Sequence, residues 1–180
     1  MSKTQLKKEL AKMTADQIGE LLLELYDARP EAKEYLDFFI RPDIDSKLEK
    51  ARANIKKEMW RTSRGRNRGR NRARSTRVRR YIKDIASLNP GEEHVLEIMT
   101  YAVEQACAVG ADQWIKETTQ KALARLLSDT LTEADRAGML GDYLPRIEKA
   151  IVSMPSSWFR TNEFKSLLKE TLDDTLPAMY

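Results

Sequence analysis

The chain has 180 residues, with 32 Lys and Arg against 28 Asp and Glu, a formal net charge of +4 and a hydrophobic share of 41%. That length suits one domain or two small ones, and that apolar share excludes a chain disordered throughout. A single Cys excludes a disulfide framework, and one His with one Cys excludes a His/Cys zinc cage. No apolar run approaches the roughly 20 residues of a membrane-spanning helix, and Met1 to Gln5 lead straight into a charged amphipathic stretch rather than a signal-peptide core. A cytoplasmic setting with no membrane partner is expected.

The pattern is helical from end to end. Leu6, Leu10 and Met13 space a short first helix over 3–13. Thr14-x-x-Gln17 fits a capping box for a second helix, whose stripe is Ile18, Leu21, Leu22, Leu25 and Tyr26. Arg29-Pro30 ends it, because Pro disfavours helix in the residue before it and suits a first turn. A third helix carries Ala32, Tyr35, Leu36, Phe39 and Ile40 and stops at Pro42. A fourth, from about 45 to 60, sets Leu48, Ala51, Ile55 and Met59 on one face, with Glu58 among the polar residues of the others.

After a break over 61–74, helix resumes at Ser75-Thr76 with Val78, Tyr81, Ile82, Ile85 and Leu88. Asn89-Pro90 predicts a cap and first turn for a helix over 90–109, closed by Gly110 in the left-handed conformation. A helix over 112–130 follows, then a short one opened by Thr132-x-x-Asp135, then 142–153 and 161–173. With no alternating strand pattern, the expectation is an all-α fold of about eight or nine helices in antiparallel hairpins. A looser, solenoid-like stack stays open for the C-terminal half. The expected organisation is an N-terminal part over 1–60, an Arg-rich connection over 61–75 and a C-terminal part over 76–180, with packing as one domain left open.

Charge is distributed very unevenly. Residues 1–60 hold 12 basic and 12 acidic side chains, residues 61–80 hold ten Arg and no acid, and residues 81–180 hold 10 basic and 16 acidic. The net +4 is thus a +10 segment set against a −6 remainder. The ten are Arg61, Arg64, Arg66, Arg68, Arg70, Arg72, Arg74, Arg77, Arg79 and Arg80. From 64 to 74 Arg occupies every second position, within a doubled Arg-Gly-Arg-Asn. On a helix that spacing scatters guanidiniums around the cylinder; in an extended chain it lines one edge at about 6.6 Å intervals.

Arg alone, with no Lys, suits phosphate, whose oxygens its planar fork matches with two parallel hydrogen bonds. Arg77, Arg79 and Arg80 fall in the first two turns of a helix, where cations oppose the dipole and a bound anion relieves them. These ten Arg are the expected contacts to an RNA or DNA backbone, read without sequence preference because only Trp60 and Tyr81 flank the segment for stacking. The competing reading is a helical interaction scaffold. Its basic segment is a solvated loop or docks on acidic helices, of this chain or of an acidic partner protein.

Nothing points to catalysis, a metal or a cofactor. His94 lies beside Glu92 and Glu93 with Gly91 three residues before it, so no Glu-x-x-His motif forms. Cys107 between two alanines reads as a packed residue, and the row Glu20, Glu24, Asp27 and Glu31 as a solvated face. No phosphate-binding glycine loop is present. Trp158 and Phe159, in a turn after Pro155, fit packing between helices or, in the functional reading, a small protein-contact patch. Oligomeric state is not fixed by any of these features.

The motifs Lys3-x-x-Leu6-Lys7-Lys8-x-Leu10, Leu25-Tyr26-Asp27 and Lys33-Glu34-Tyr35-x-x-Phe38 resemble the start of a family of small all-helical bacterial proteins known only as a domain of unknown function. The resemblance extends through the basic stretch into 76–88, and on to residue 130. It implies an all-helical fold and a bacterial cytosolic setting, and carries over no catalytic residue or substrate. The doubled Arg-Gly-Arg-Asn is more basic than the family pattern.

Overall fold

The computed structural model describes residues 2–63, 71–155 and 159–176, with side chains in the last stretch from 163 onward. Among these residues it contains nine α-helices and no strand beyond one isolated antiparallel bridge, Thr62 with Asn71. The protein is all-α. Its compact units divide at 43/44.

The first unit holds α1 (Lys3–Leu10), α2 (Ala15–Ala28) and α3 (Pro30–Ile40). Two capping boxes start its first helices. Ser2 Oγ accepts from the Gln5 amide at 3.2 Å and Thr14 Oγ1 from the Gln17 amide at 3.3 Å, while each Gln side chain accepts from the cap amide in return. Arg29, in extended conformation, is the joint between α2 and α3, and Pro30 begins α3. Tyr26 donates its hydroxyl to Asp37 at 3.0 Å, and Lys33 lies over the Tyr26 ring. No described side chain of this unit is buried.

The second unit begins with α4 (Ile44–Met59) and continues through α5 (Ser75–Ser87), α6 (Glu92–Asp112), α7 (Glu117–Arg136), α8 (Leu140–Ser153) and α9 (Phe159–Thr175). α4, grouped with the three preceding helices in the sequence reading, packs on α5 and α6 instead. Ile55 and Met59 on its apolar face are fully buried there. α6 is the central post: Leu96, Ile98, Val103, Ala106 and Val109 are buried at positions around its circumference, because α4, α7 and α8 all lean on it.

Several boundaries depart from expectation for identifiable reasons. Gly110 does not terminate α6; the helix continues to Asp112. A Cβ at 110 would sit 2.5 Å from Cδ1 of Phe164, so glycine is needed for the close approach of α9. Asn89 does not cap α6. It takes the left-handed conformation, φ 53°, just after α5, a region Asn tolerates better than other side chains, and Gly91 at φ 108° precedes α6 instead. Thr132 opens no new helix. Thr130 and Thr132 instead donate their hydroxyls to the carbonyls of Leu126 and Ser128 within α7, which runs unbroken to Arg136. Gly138, at φ 69°, then closes it in a Schellman motif: Gly138 N–H donates to Asp135 O and Met139 N–H to Ala134 O. Lys165 on α9 is buried and donates to the carbonyls of Val152 and Met154, placing a cation at the C-terminal end of α8.

Candidate nucleic-acid interface

The described ends of the basic segment, up to Ser63 and from Asn71 on, form a neck between the end of α4 and the start of α5. Arg72 donates its amide to the Arg61 carbonyl at 2.7 Å, beside the Thr62–Asn71 bridge, and Arg74 donates to the Glu58 carbonyl at 3.3 Å. Asn71 is the clasp. Buried to 8% exposure, it donates to the Met59 carbonyl at 2.9 Å and to Gln113 Oε1 at 3.1 Å, and accepts from the Ala73 amide at 2.8 Å. Asn suits this post because one short side chain offers donors and an acceptor together. Chain positions 62 and 71 are thereby brought side by side.

The structure divides the ten expected Arg contacts. Arg64, Arg66, Arg68 and Arg70 lie outside the described residues. Three others converge on Glu58, which is only 5% exposed: Arg77 Nη1 at 3.3 Å, Arg61 Nη1 at 3.8 Å and Arg74 Nε at 3.9 Å. Only the Arg77 contact is also a hydrogen bond, and Glu58 Oε2 has no hydrogen-bond partner among the described residues. Arg79 pairs with Asp129 on α7 at 2.5 Å. Arg80 stays exposed, 3.9 Å from Asp84 and over the Tyr81 ring. Arg72 is exposed and makes no side-chain ion pair among the described residues.

The helix-dipole conflict foreseen for Arg77, Arg79 and Arg80 is partly answered from within. The α5 N-terminus has no side-chain cap and no acid in its first turn, and Glu58 from α4 supplies an anion to Arg74 and Arg77 there. One carboxylate does not balance the neck. Arg61, Arg74 and Arg77 share the single Glu58, and Lys57 and Arg72 add two more cations beside it. Beside them opens a cleft of about 790 Å³ lined by Lys57, Glu58, Trp60, Arg61, Thr62, Ser63 and Arg72. Trp60 is half-buried and held by its indole N–H to Gln105 Oε1 at 3.0 Å. The cleft is therefore cationic, with one anchored aromatic wall.

Asn71, Glu58 and Lys57 were not among the site residues read from the sequence. Asn71 appeared only as the last residue of the doubled Arg-Gly-Arg-Asn, and Glu58 as part of a polar helix face. Of the protein-contact pair, Trp158 lies outside the described residues, and Phe159 opens α9 with its side chain outside them. Cys107 is buried, which with the nearby Glu104 charge pushes its thiol pKa up to about 12 and leaves it protonated and unreactive. Among the described residues, no group of three or more His, Cys, Asp and Glu is placed to hold a metal ion. No helix there is long and apolar enough to cross a membrane.

A family model described as a family of unknown function (DUF6155) matches residues 1–172. No curated protein and no solved structure matches the chain.

Proposed function

Since the chain belongs to this family of unknown function (DUF6155), which brings no activity with it, we propose from the chemistry of the neck that the protein is a non-enzymatic, cytoplasmic binder of RNA or DNA backbone without sequence preference. The observation that carries this reading is the neck itself. A clasp built on Asn71 holds together the two ends of a segment whose cations are all Arg, and five cations around it outnumber the one carboxylate, Glu58. Phosphates entering the cleft would meet Lys57, Arg61 and Arg72, and the chain between 63 and 71 adds Arg64, Arg66, Arg68 and Arg70. Neutralising that many phosphates releases counterions, so affinity falls steeply with salt.

Fluorescence anisotropy with labelled RNA and DNA at two salt concentrations tests it. The expected result is binding to both, weakened by salt, and abolished when Arg64, Arg66, Arg68, Arg70, Arg72 and Arg74 become Gln with far-UV helix content intact. Absent or salt-independent binding refutes the reading.

A second reading has its own support, because Arg61, Arg74 and Arg77 already meet Glu58 and Arg79 meets Asp129. In it the segment docks on acids of its own chain, and the protein is a helical interaction scaffold. Trypsin separates the two: rapid cleavage between 61 and 74, slowed by added nucleic acid, favours backbone binding. Slow cleavage of the protein alone favours docking.

A further inference from the structure

The first unit poses a problem of its own. It is about 40 residues long, and none of its described side chains is buried. Units of about 40–70 residues rarely hold together on a core alone and are usually sustained by disulfides, metals or association. Residues 1–43 contain no Cys, and the described residues offer no metal-holding cluster. Association remains.

The exposed apolar surface is large enough for it. Leu6, Leu21, Leu22, Leu25 and Tyr35 are each nearly half exposed, and Leu23, Phe39 and Ile40 reach 66%, 72% and 70%. At half of roughly 200 Å² apiece, the eight together present on the order of 800 Å², one partner's share of a standard interface.

The charges indicate what covers this surface. Lys3, Lys7 and Lys8 on α1 make no ion pair with any described residue. Asp16, Glu20, Glu24 and Asp27 on α2 make none either. One small unit thus displays an unneutralised basic row on one helix and an unneutralised acidic row on the next. A partner of single charge would satisfy one row and repel the other. A two-fold copy satisfies both, because an isologous interface sets each patch against its complement on the other molecule.

We propose that residues 2–43 are a self-association module, which joins the same unit of a second copy of this chain with α1 of one copy beside α2 of the other. The proposal is independent of nucleic-acid binding. Sedimentation equilibrium on nuclease-treated, full-length protein at low ionic strength tests it. The wild-type chain is expected to be dimeric. A variant with Lys3, Lys7 and Lys8 changed to Glu, and one with Glu20, Glu24 and Asp27 changed to Lys, are each expected to be monomeric alone and to dimerise when mixed. Leu22→Asp with Phe39→Asp, both at exposed positions, is expected to dissociate the dimer without loss of helix in circular dichroism. A wild-type monomer at every concentration overturns the proposal. So does a dimer that survives the Leu22/Phe39 change, or a pair of helical charge variants that fail to dimerise on mixing.

Discussion

Replacing Asn71 by Ala removes the clasp of the neck while leaving every guanidinium in place. Three hydrogen bonds go: two donated to Met59 O and Gln113 Oε1 and one accepted from the Ala73 amide. At about 1 kcal/mol net for each, the closed neck loses about 3 kcal/mol. Every 1.4 kcal/mol is tenfold in an equilibrium constant, so the open form should be populated on the order of 100 times more. The amides of Arg72 and Arg74, donated to the carbonyls of Arg61 and Glu58, report that opening directly. Their hydrogen exchange, followed residue by residue, is expected to accelerate by about that factor, while the α7 core amides near Leu127 change only with global stability. Asn71→Asp keeps the acceptor for Ala73 but loses both donors, and should open the neck as well. If exchange at Arg72 and Arg74 rises less than about fivefold in Asn71→Ala, then Asn71 does not hold the neck and the argument built on it fails.

Three further outcomes follow from the packing and the ion pairs. Gly110→Ala should destabilise by up to about 2 kcal/mol in urea unfolding, since the clash with Phe164 costs about 1–3 kcal/mol and helix propensity returns about 1. Adding Phe164→Leu should recover part of that loss, and strict additivity of the two changes would count against the contact. A hydrogen bond from Arg146 holds the Glu97 carboxyl below its usual range, against the opposing effect of burial, and Arg52 adds a further charge. A carboxyl whose folded pKa is depressed stabilises the fold above its unfolded pKa, and that stability is lost as pH falls through the folded value. Arg146→Met should therefore cost on the order of 1 kcal/mol near neutrality, with the difference from wild type shrinking in acid unfolding curves taken below the ordinary Glu range. Cys107, with its pKa pushed up to about 12 by burial, should react with a thiol reagent only at the rate of unfolding, and fast labelling of the folded protein would contradict its burial.

The helices themselves were legible because their information is local. Thr14 with Gln17 and Pro30 after Arg29 act within a few residues, and the structure uses them as the spacing predicts. What escaped depends on partners far along the chain. Gly110 carries no mark of Phe164, 54 residues later, and so reads as a helix stop. Thr132 reads as a cap until its hydroxyl is seen bonded to Ser128 within α7. Glu58 looks like one more charge on a polar face, and its partners include Arg74 and Arg77, which lie more than fifteen residues further along the chain, beside the nearby Arg61. Asn71 reads only as the end of the doubled Arg-Gly-Arg-Asn, yet its partners are Met59 and Gln113. Periodicity placed Leu21, Leu22 and Leu25 on one stripe of α2 and is silent on what covers that stripe.

The bridge between Thr62 and Asn71 separates length from architecture. Whatever lies between these two positions begins and ends at the same place, so the helical body does not register how many residues are strung there. Loop-closure entropy rises only logarithmically, and doubling the segment adds about 0.6 kcal/mol. The doubled Arg-Gly-Arg-Asn has the form such tolerance permits: a four-residue unit copied in tandem, adding charge without moving a helix. Adding or removing one such unit between positions 62 and 71 is then expected to leave Asn71 and its three hydrogen bonds in place.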